Sequence, residues 1–161
     1  MGVLLYRVDD RLIHGQVVVG WGRFLKANAI LVASDRAAAD EMSKTMMEMG
    51  AGADVKVEVL PVADAAARLR EKEYEKRATI VLFETPADAL RFLDCGVDVK
   101  RLNIGGMHYR EGKRQIMEAV SVDDDDCRDL RALAARGVAL YVQMIPHAKP
   151  VKLWDKLPRE K

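Results

Sequence analysis

Residues 3–25 read VLLYRVDDRLIHGQVVVGWGRFL, and this stretch decides the fold. The apolar run Val3-Leu4-Leu5-Tyr6 opens a predicted strand over Val3–Val8. Apolar residues from Val17 to Leu25 predict a buried helix over Gly15–Lys26, although three consecutive valines are also strand formers. A strand, a short polar turn and a helix place the turn at the carboxyl edge of an α/β sheet, where such folds bind ligands. The turn carries Asp9, Asp10, Arg11 and His14. An imidazole with an arginine three residues before it and two carboxylates beside it has the parts of a phosphate-carrying site. The same residues also suit a solvated ion cluster beside a structural histidine, and taken alone they leave both readings open.

Outward from this stretch, short apolar runs alternate with longer helical patterns. Further strands are predicted at Ala29–Ala33, Val55–Leu60, Thr79–Phe83, Arg101–Ile104, Ala119–Val122 and Ala139–Val142, with helices at Ala37–Met49, Val62–Lys72, Pro86–Cys95 and Asp124–Arg136. That alternation predicts one α/β domain over 1–161, with a mostly parallel central sheet covered by helices on both faces. Thr85 is placed to cap the helix that starts at Pro86, with Asp88 completing a capping-box pattern. Gly50, Gly96 and Gly137 sit where a left-handed residue closes a helix. The run Asp123–Asp126 reads as helix capping, favoured by the macrodipole, in preference to a metal site. Met42, Met46 and Met49 share a helical face, which predicts core packing. The tail around Trp154 is expected to form a short helix that packs the indole on the body, with Arg159–Lys161 frayed.

Composition excludes several classes. The formal net charge is +1, so no basic surface for nucleic acid is implied. No apolar run approaches the roughly 20 residues of a bilayer span. The first residues fit neither a signal peptide nor a myristoylation signal, and Cys95 and Cys127 stand apart as expected of buried thiols, so a cytoplasmic location is expected. No glycine-rich nucleotide-binding pattern follows any predicted strand, and no cofactor or metal is implied.

The segment RVDDRLIHGQVVVGW, from Arg7 to Trp21, resembles the signature of enzyme IIB of the mannose/fructose/sorbose family of the bacterial sugar phosphotransferase system. Asn103-Ile104-Gly105-Gly106-Met107-His108, followed by Arg110-Glu111-Gly112-Lys113, resembles the N-x-G-G-M segment of the same family. The likeness runs from Val3 to about Pro146. It departs from the family at Met49–Asp54, where an A-x-P-x-G-V pattern is replaced. The resemblance implies that His14 accepts a phosphoryl group, on its δ1 nitrogen, from enzyme IIA. The group then passes to a sugar moving through a membrane permease of IIC and IID components. Those partners are expected on separate proteins. A regulatory phosphohistidine protein without a permease is the alternative, and association into a homodimer is a further expectation.

Within that reading, each residue of the turn has an expected task. Arg11 clamps phosphate with a planar, two-pronged contact. Asp10, or else Asp9, accepts an imidazole N–H and orients the ring. Backbone N–H groups of Gly15, Gln16 and Val17 face the phosphate oxygens at a helix start, and Gly15 lets phosphate approach closely. Arg36, after the second strand, reaches the same edge or else faces solvent. The Gly105-Gly106 turn contacts phosphate or the partner, with His108 at the rim of the site. Phe24 and Met107 are expected to help dock IIA if they are exposed.

Overall fold

The computed structural model describes residues 2–159. Its strands are β1 (Gly2–Asp9), β2 (Ala29–Ala33), β3 (Lys56–Leu60), β4 (Ala78–Phe83), β5 (Arg101–Gly106), β6 (Arg114–Met117), β7 (Val120–Val122), β8 (Ala139–Val142) and β9 (Val151–Lys152). Seven of them form one sheet in the order β3-β2-β4-β1-β5-β8-β9. All neighbours in it are parallel except β9, which runs antiparallel to β8. Alternation along the central strands sends side chains to both faces. In β4, Ile80 and Leu82 enter a core under the first helix, with Trp21, Val17 and Met47. Val81 and Phe83 enter the opposite core, with Phe92, Leu130 and Leu133. The predicted fold class, a parallel-dominated α/β sheet with helices on both faces, is therefore the observed one.

The helices are α1 (Arg23–Leu25), α2 (Asp35–Ala38), α3 (Glu41–Gly50), α4 (Val62–Leu69), α5 (Lys72–Glu75), α6 (Pro86–Asp94) and α7 (Asp124–Ala135), and a π-helix over Gln16–Gly22 leads into α1. Two expected helices are split by their own capping groups and turns. Ser34 caps α2 and Asp40 caps α3, its carboxylate accepting from the N–H groups of Met42 and Ser43. The stretch 62–72 breaks between α4 and α5 at a turn without a side-chain cap, where Glu71 N–H donates to Arg68 O at 3.1 Å. Thr85 caps α6 as expected, but the Asp88 carboxylate takes Arg91 at 2.6 Å. Asp123 and Asp126 form a reciprocal capping box on α7. Gly96 and Gly137 have φ of +85° and +88°; Gly50 does not, and Gly52 at +86° turns the chain instead.

Three further expectations fail for local reasons. The residues near 119–122 pair with β6 in a separate antiparallel ribbon rather than joining the main sheet. Neither β6 nor β9 is legible as a strand in the sequence, because both are short and flanked by charge. Met42, Met46 and Met49 are 73%, 67% and 77% exposed; Met47, one position round the helix, enters the core. A single turn over Leu153–Lys156 buries Leu153 and leaves Trp154 56% exposed. Of the expected frayed tail, Glu160 and Lys161 lie outside the described residues.

The strand order positions the site. The connection from β1 leads to β2 on one side of the sheet, and that from β5 leads to β8 on the other. Between β1 and β5 the connections diverge, opening a crevice at the carboxyl edge. The 10–15 loop and the 107–113 loop both leave the sheet at that crevice.

Candidate functional site

His14 stands at the end of the loop after β1, one residue before the helix cap Gly15, with 14% of its side chain exposed. Its Nε2 lies 2.8 Å from Asp9 Oδ2, and the Asp9 side chain is fully buried. The carboxylate does three tasks at once. Oδ2 accepts from Arg7 Nη2 at 3.1 Å and from His14, while Oδ1 accepts the Arg11 backbone N–H at 3.1 Å. The last bond, with Leu12 N–H donating to Asp9 O at 2.9 Å, turns the loop back over its strand. Leu12 adopts a left-handed φ of 56°, a strained conformation for a leucine, and its buried side chain holds the loop there.

Arg7 is fully buried behind Asp9. Its guanidinium donates to Asn103 Oδ1 at 2.5 Å and to the Gln143 and Met144 carbonyls at 3.0 and 3.2 Å, and it lies 5.6 Å over the Trp21 ring. Trp21 Nε1–H donates to the same Met144 carbonyl at 3.0 Å. Every hydrogen-bonding edge of this buried cation faces an acceptor, which an interior charge requires. Burial pushes the Arg7 pKa down, opposed by the Asp9 charge. For Asp9, burial acts to raise the pKa, but the His14 hydrogen bond and the Arg7 charge outweigh it and hold the carboxyl below its usual range. The site is thus a buried relay, Asn103–Arg7–Asp9–His14, whose outer end is an imidazole with Nε2 occupied.

The residues singled out in the sequence fall into distinct places. Asp9, not Asp10, holds the imidazole. β1 ends at the buried Asp9 and Asp10 begins the turn, so the two neighbouring aspartates meet different surroundings. Asp10 turns to the neighbouring loop and takes the His108 N–H at 2.7 Å and the His108 ring Nδ1 at 2.5 Å. Arg11 is exposed, with Nη2 3.4 Å from Gln16 Oε1, so Gln16 meets it through its side chain. Gly15 is exposed, has ordinary right-handed dihedrals, and a Cβ there would meet nothing within 4 Å. Val17 N–H donates to His14 O at 3.0 Å inside the first turn, so it does not face a ligand as expected. Arg36 pairs with Glu84 at 2.6 Å while lining, with Arg11, Ile13 and Met46, an open cavity of about 260 Å³.

Gly105 and Gly106 form no flexible turn; they are buried residues of β5. A Cβ at Gly105 would sit 1.8 Å from Arg7 Cζ, so glycine is needed for the guanidinium to pass. Met107 is buried, while Phe24 is 54% exposed and stacks edge-on against His147 at 5.5 Å. Sequence reasoning gives Arg7 no more than a pairing with one of the two aspartates, which it makes with Asp9, and leaves Asn103, Gln143 and Trp21 without a role. Arg7 and Asn103 do lie inside the two quoted segments, and an arginine ending an apolar strand run is the available signal.

An imidazole fixed through one nitrogen at the switch point of a parallel sheet, beside an exposed arginine, defines an α/β protein with its candidate site at the carboxyl edge of the sheet. Residues 3–161 match the family model for the phosphotransferase system (PTS) sorbose subfamily IIB component. The chain belongs to that family: it is a IIB component of the phosphotransferase system, a transferase of sugar transport. It is 36% identical to the fructose-specific EIIB component of Bacillus subtilis (strain 168), covering 91% of this chain and 90% of that one. It is also 36% identical to the mannose-specific EIIAB component of Escherichia coli (strain K12), covering 99% of this chain but 49% of that longer protein. The crystal structure of the IIBSor domain of the sorbose permease from Klebsiella pneumoniae superposes with a TM-score of 0.90 at 36% identity, covering 97% of this chain and 96% of that one.

Proposed function

We propose that this protein carries phosphate on His14, taking it from enzyme IIA and passing it to a sugar during uptake through a IIC/IID permease at the cytoplasmic face of the membrane. The observation that carries this reading is the Asp9–His14 hydrogen bond. Asp9 accepts a proton held on Nε2, so the Nδ1 lone pair is left for attack on phosphorus. As the Nδ1–P bond forms, the bond from phosphorus to the donor's histidine breaks and its electron pair returns to that nitrogen. The His14 ring, now substituted on both nitrogens, becomes cationic, and the buried Asp9 carboxylate stabilises it. In the second step a sugar hydroxyl oxygen attacks phosphorus, the P–Nδ1 bond breaks, and the hydroxyl proton leaves to solvent. Arg11 supplies the planar clamp on the phosphoryl oxygens, Gly15 and Gln16 N–H groups add donors, and Arg36 is a second cation in the same cavity.

The phosphoryl donor must reach a recessed imidazole, so apolar surface near the loop favours docking. Phe24 serves, and the exposed Met46, beside Arg11 in the cavity, takes the place assigned to the buried Met107. The Escherichia coli relative's name joins IIA and IIB in one chain, which supports IIA as donor. Incubation with phosphorylated IIA tests the reading. Wild type is expected to take up one acid-labile, alkali-stable phosphate, and the His14→Ala protein none. Permease-containing membranes and a panel of sugars then identify the acceptor. Full incorporation in the His14→Ala protein overturns the proposal.

A further inference from the structure

Asp10 sits between two cavities flanking the His14 loop. One is the cavity shared with Arg11, Ile13, Arg36 and Met46; the other, smaller, is lined by Glu84, Arg110, Lys113 and Asp126. A carboxylate at this mouth repels an arriving phosphoryl dianion. Two nearby cations are engaged elsewhere: Lys113 goes to Asp126 at 2.7 Å and Asp123 at 3.9 Å, and Arg36 goes to Glu84, while Arg11 turns to Gln16 and Arg110 lines the smaller cavity. Asp10 is met instead by His108, through backbone N–H and ring, while its own N–H donates to Gly106 O at 3.0 Å. A Cβ on Gly106 would lie 3.3 Å from Asp9 Oδ1 and 3.5 Å from His108 Cε1, so the two histidine–aspartate pairs flank a single glycine.

We propose that His108 is a positioning residue for the phosphoryl group: it is the counter-charge to Asp10 that lets the donor's dianionic phosphate approach His14. This rests on the carrier reading above. The ring Nδ1 already faces Asp10 Oδ1, so a proton gained by the ring adds a full positive charge beside that carboxylate. Relief of repulsion is therefore greatest at low pH and fades as pH rises. Because the effect is electrostatic and the ring is 48% exposed, it also weakens with added salt.

The experiment measures kcat/KM for phosphoryl uptake from phosphorylated IIA between pH 6 and 8. The proteins are wild type, His108→Gln, His108→Lys, Asp10→Asn and the Asp10→Asn/His108→Gln double variant. Protonation of His14 affects all of them, so the readout is the ratio of each variant to wild type. His108→Gln keeps the backbone contact, and is expected to lower kcat/KM about fivefold at pH 6, chiefly through KM for the donor, with the deficit shrinking by pH 8. His108→Lys is expected to restore the pH 6 rate and hold it at pH 8. In the Asp10→Asn background the glutamine substitution is expected to have little effect. Equal thermal midpoints establish that the variants are folded. A ratio that stays constant with pH, or the same loss with Asp10→Asn, overturns the proposal while leaving His14 as carrier. Failure of wild type to take up phosphate overturns both.

Discussion

Two histidine–aspartate pairs lie side by side at the carboxyl edge of the sheet, and consecutive carboxylates hold them in opposite ways. Asp9 is fully buried, touches His14 through Nε2, and is backed by the buried Arg7. Asp10 touches His108 through Nδ1, in a pair whose imidazole is about half exposed and which has no buried cation behind it among the described contacts. The first pair leaves Nδ1 open on a ring fixed by the interior. The second is a solvated contact between two loops. Residue type and sequence distance are therefore poor guides to role here. What separates the pairs is that β1 ends between the two carboxylates, and what stands behind each.

The largest expected contrast is between the histidines themselves. His14→Ala removes the acceptor atom and should abolish phosphate uptake, whereas His108→Ala should reach full incorporation, more slowly. Loss of the end-point level in His108→Ala would erase the distinction. Next come the carboxylates. Asp9→Asn removes the charge that steadies a cationic phosphohistidine, and transfer should slow on the order of 100-fold or more. It also leaves Arg7 buried without its countercharge, so denaturant unfolding should show a loss of about 3 kcal/mol, against less than about 1 kcal/mol for Asp10→Asn. The sign with pH follows from the depressed pKa of Asp9. Its stabilisation is complete above the ordinary carboxylate value near 3.9 and is lost as pH falls through the lower folded value. The Asp9→Asn protein should therefore show a flatter acid limb of stability.

That contrast also marks where the sequence stops being legible. Strand and helix signals locate β2, β4 and α6 closely, because Ala29–Ala33 and Ala78–Phe83 are apolar runs with sharp ends and Thr85-Pro86 marks the start of α6. His14 and Arg11 are legible from one contiguous motif. Asp9 and Asp10 are not separable, since the choice depends on where β1 ends. The relay from Asn103 through Arg7 is hidden because its members come together only across the β1–β5 pairing, where Arg7 lies opposite Asn103. Met42, Met46 and Met49 share a face as the spacing suggests, but periodicity cannot tell which face of a helix meets the sheet.

Arg11→Lys sharpens the comparison on the solvent side of His14. Lysine keeps the charge but loses the planar fork, and a lost charge-assisted bond of about 2–3 kcal/mol should slow transfer roughly 30- to 150-fold. Stability should stay close to wild type, since the Arg11 guanidinium touches only Gln16, at 3.4 Å, among the described contacts. Unchanged single-turnover kinetics would remove the clamp role and leave the Asp9–His14 pair intact.

Two glycines separate the support of the site from its open face. At Gly105 an added Cβ would fall 1.8 Å from Arg7 Cζ and 2.1 Å from Nη2. The guanidinium would have to leave Asp9, Asn103 and two carbonyls, so Gly105→Ala should lower stability by about 1–3 kcal/mol or more, and slow transfer by shifting Asp9. Gly15 has a φ of −54°, which any residue adopts, and a methyl group added there would find nothing within 4 Å. Gly15→Ala should therefore unfold within about 0.5 kcal/mol of wild type, on either side of it. Transfer should nonetheless slow, because the methyl occupies space that the phosphoryl group needs beside the helix-start amides. Equal transfer rates in Gly15→Ala and wild type would place the phosphoryl group away from those amides, with Arg11 as its principal contact.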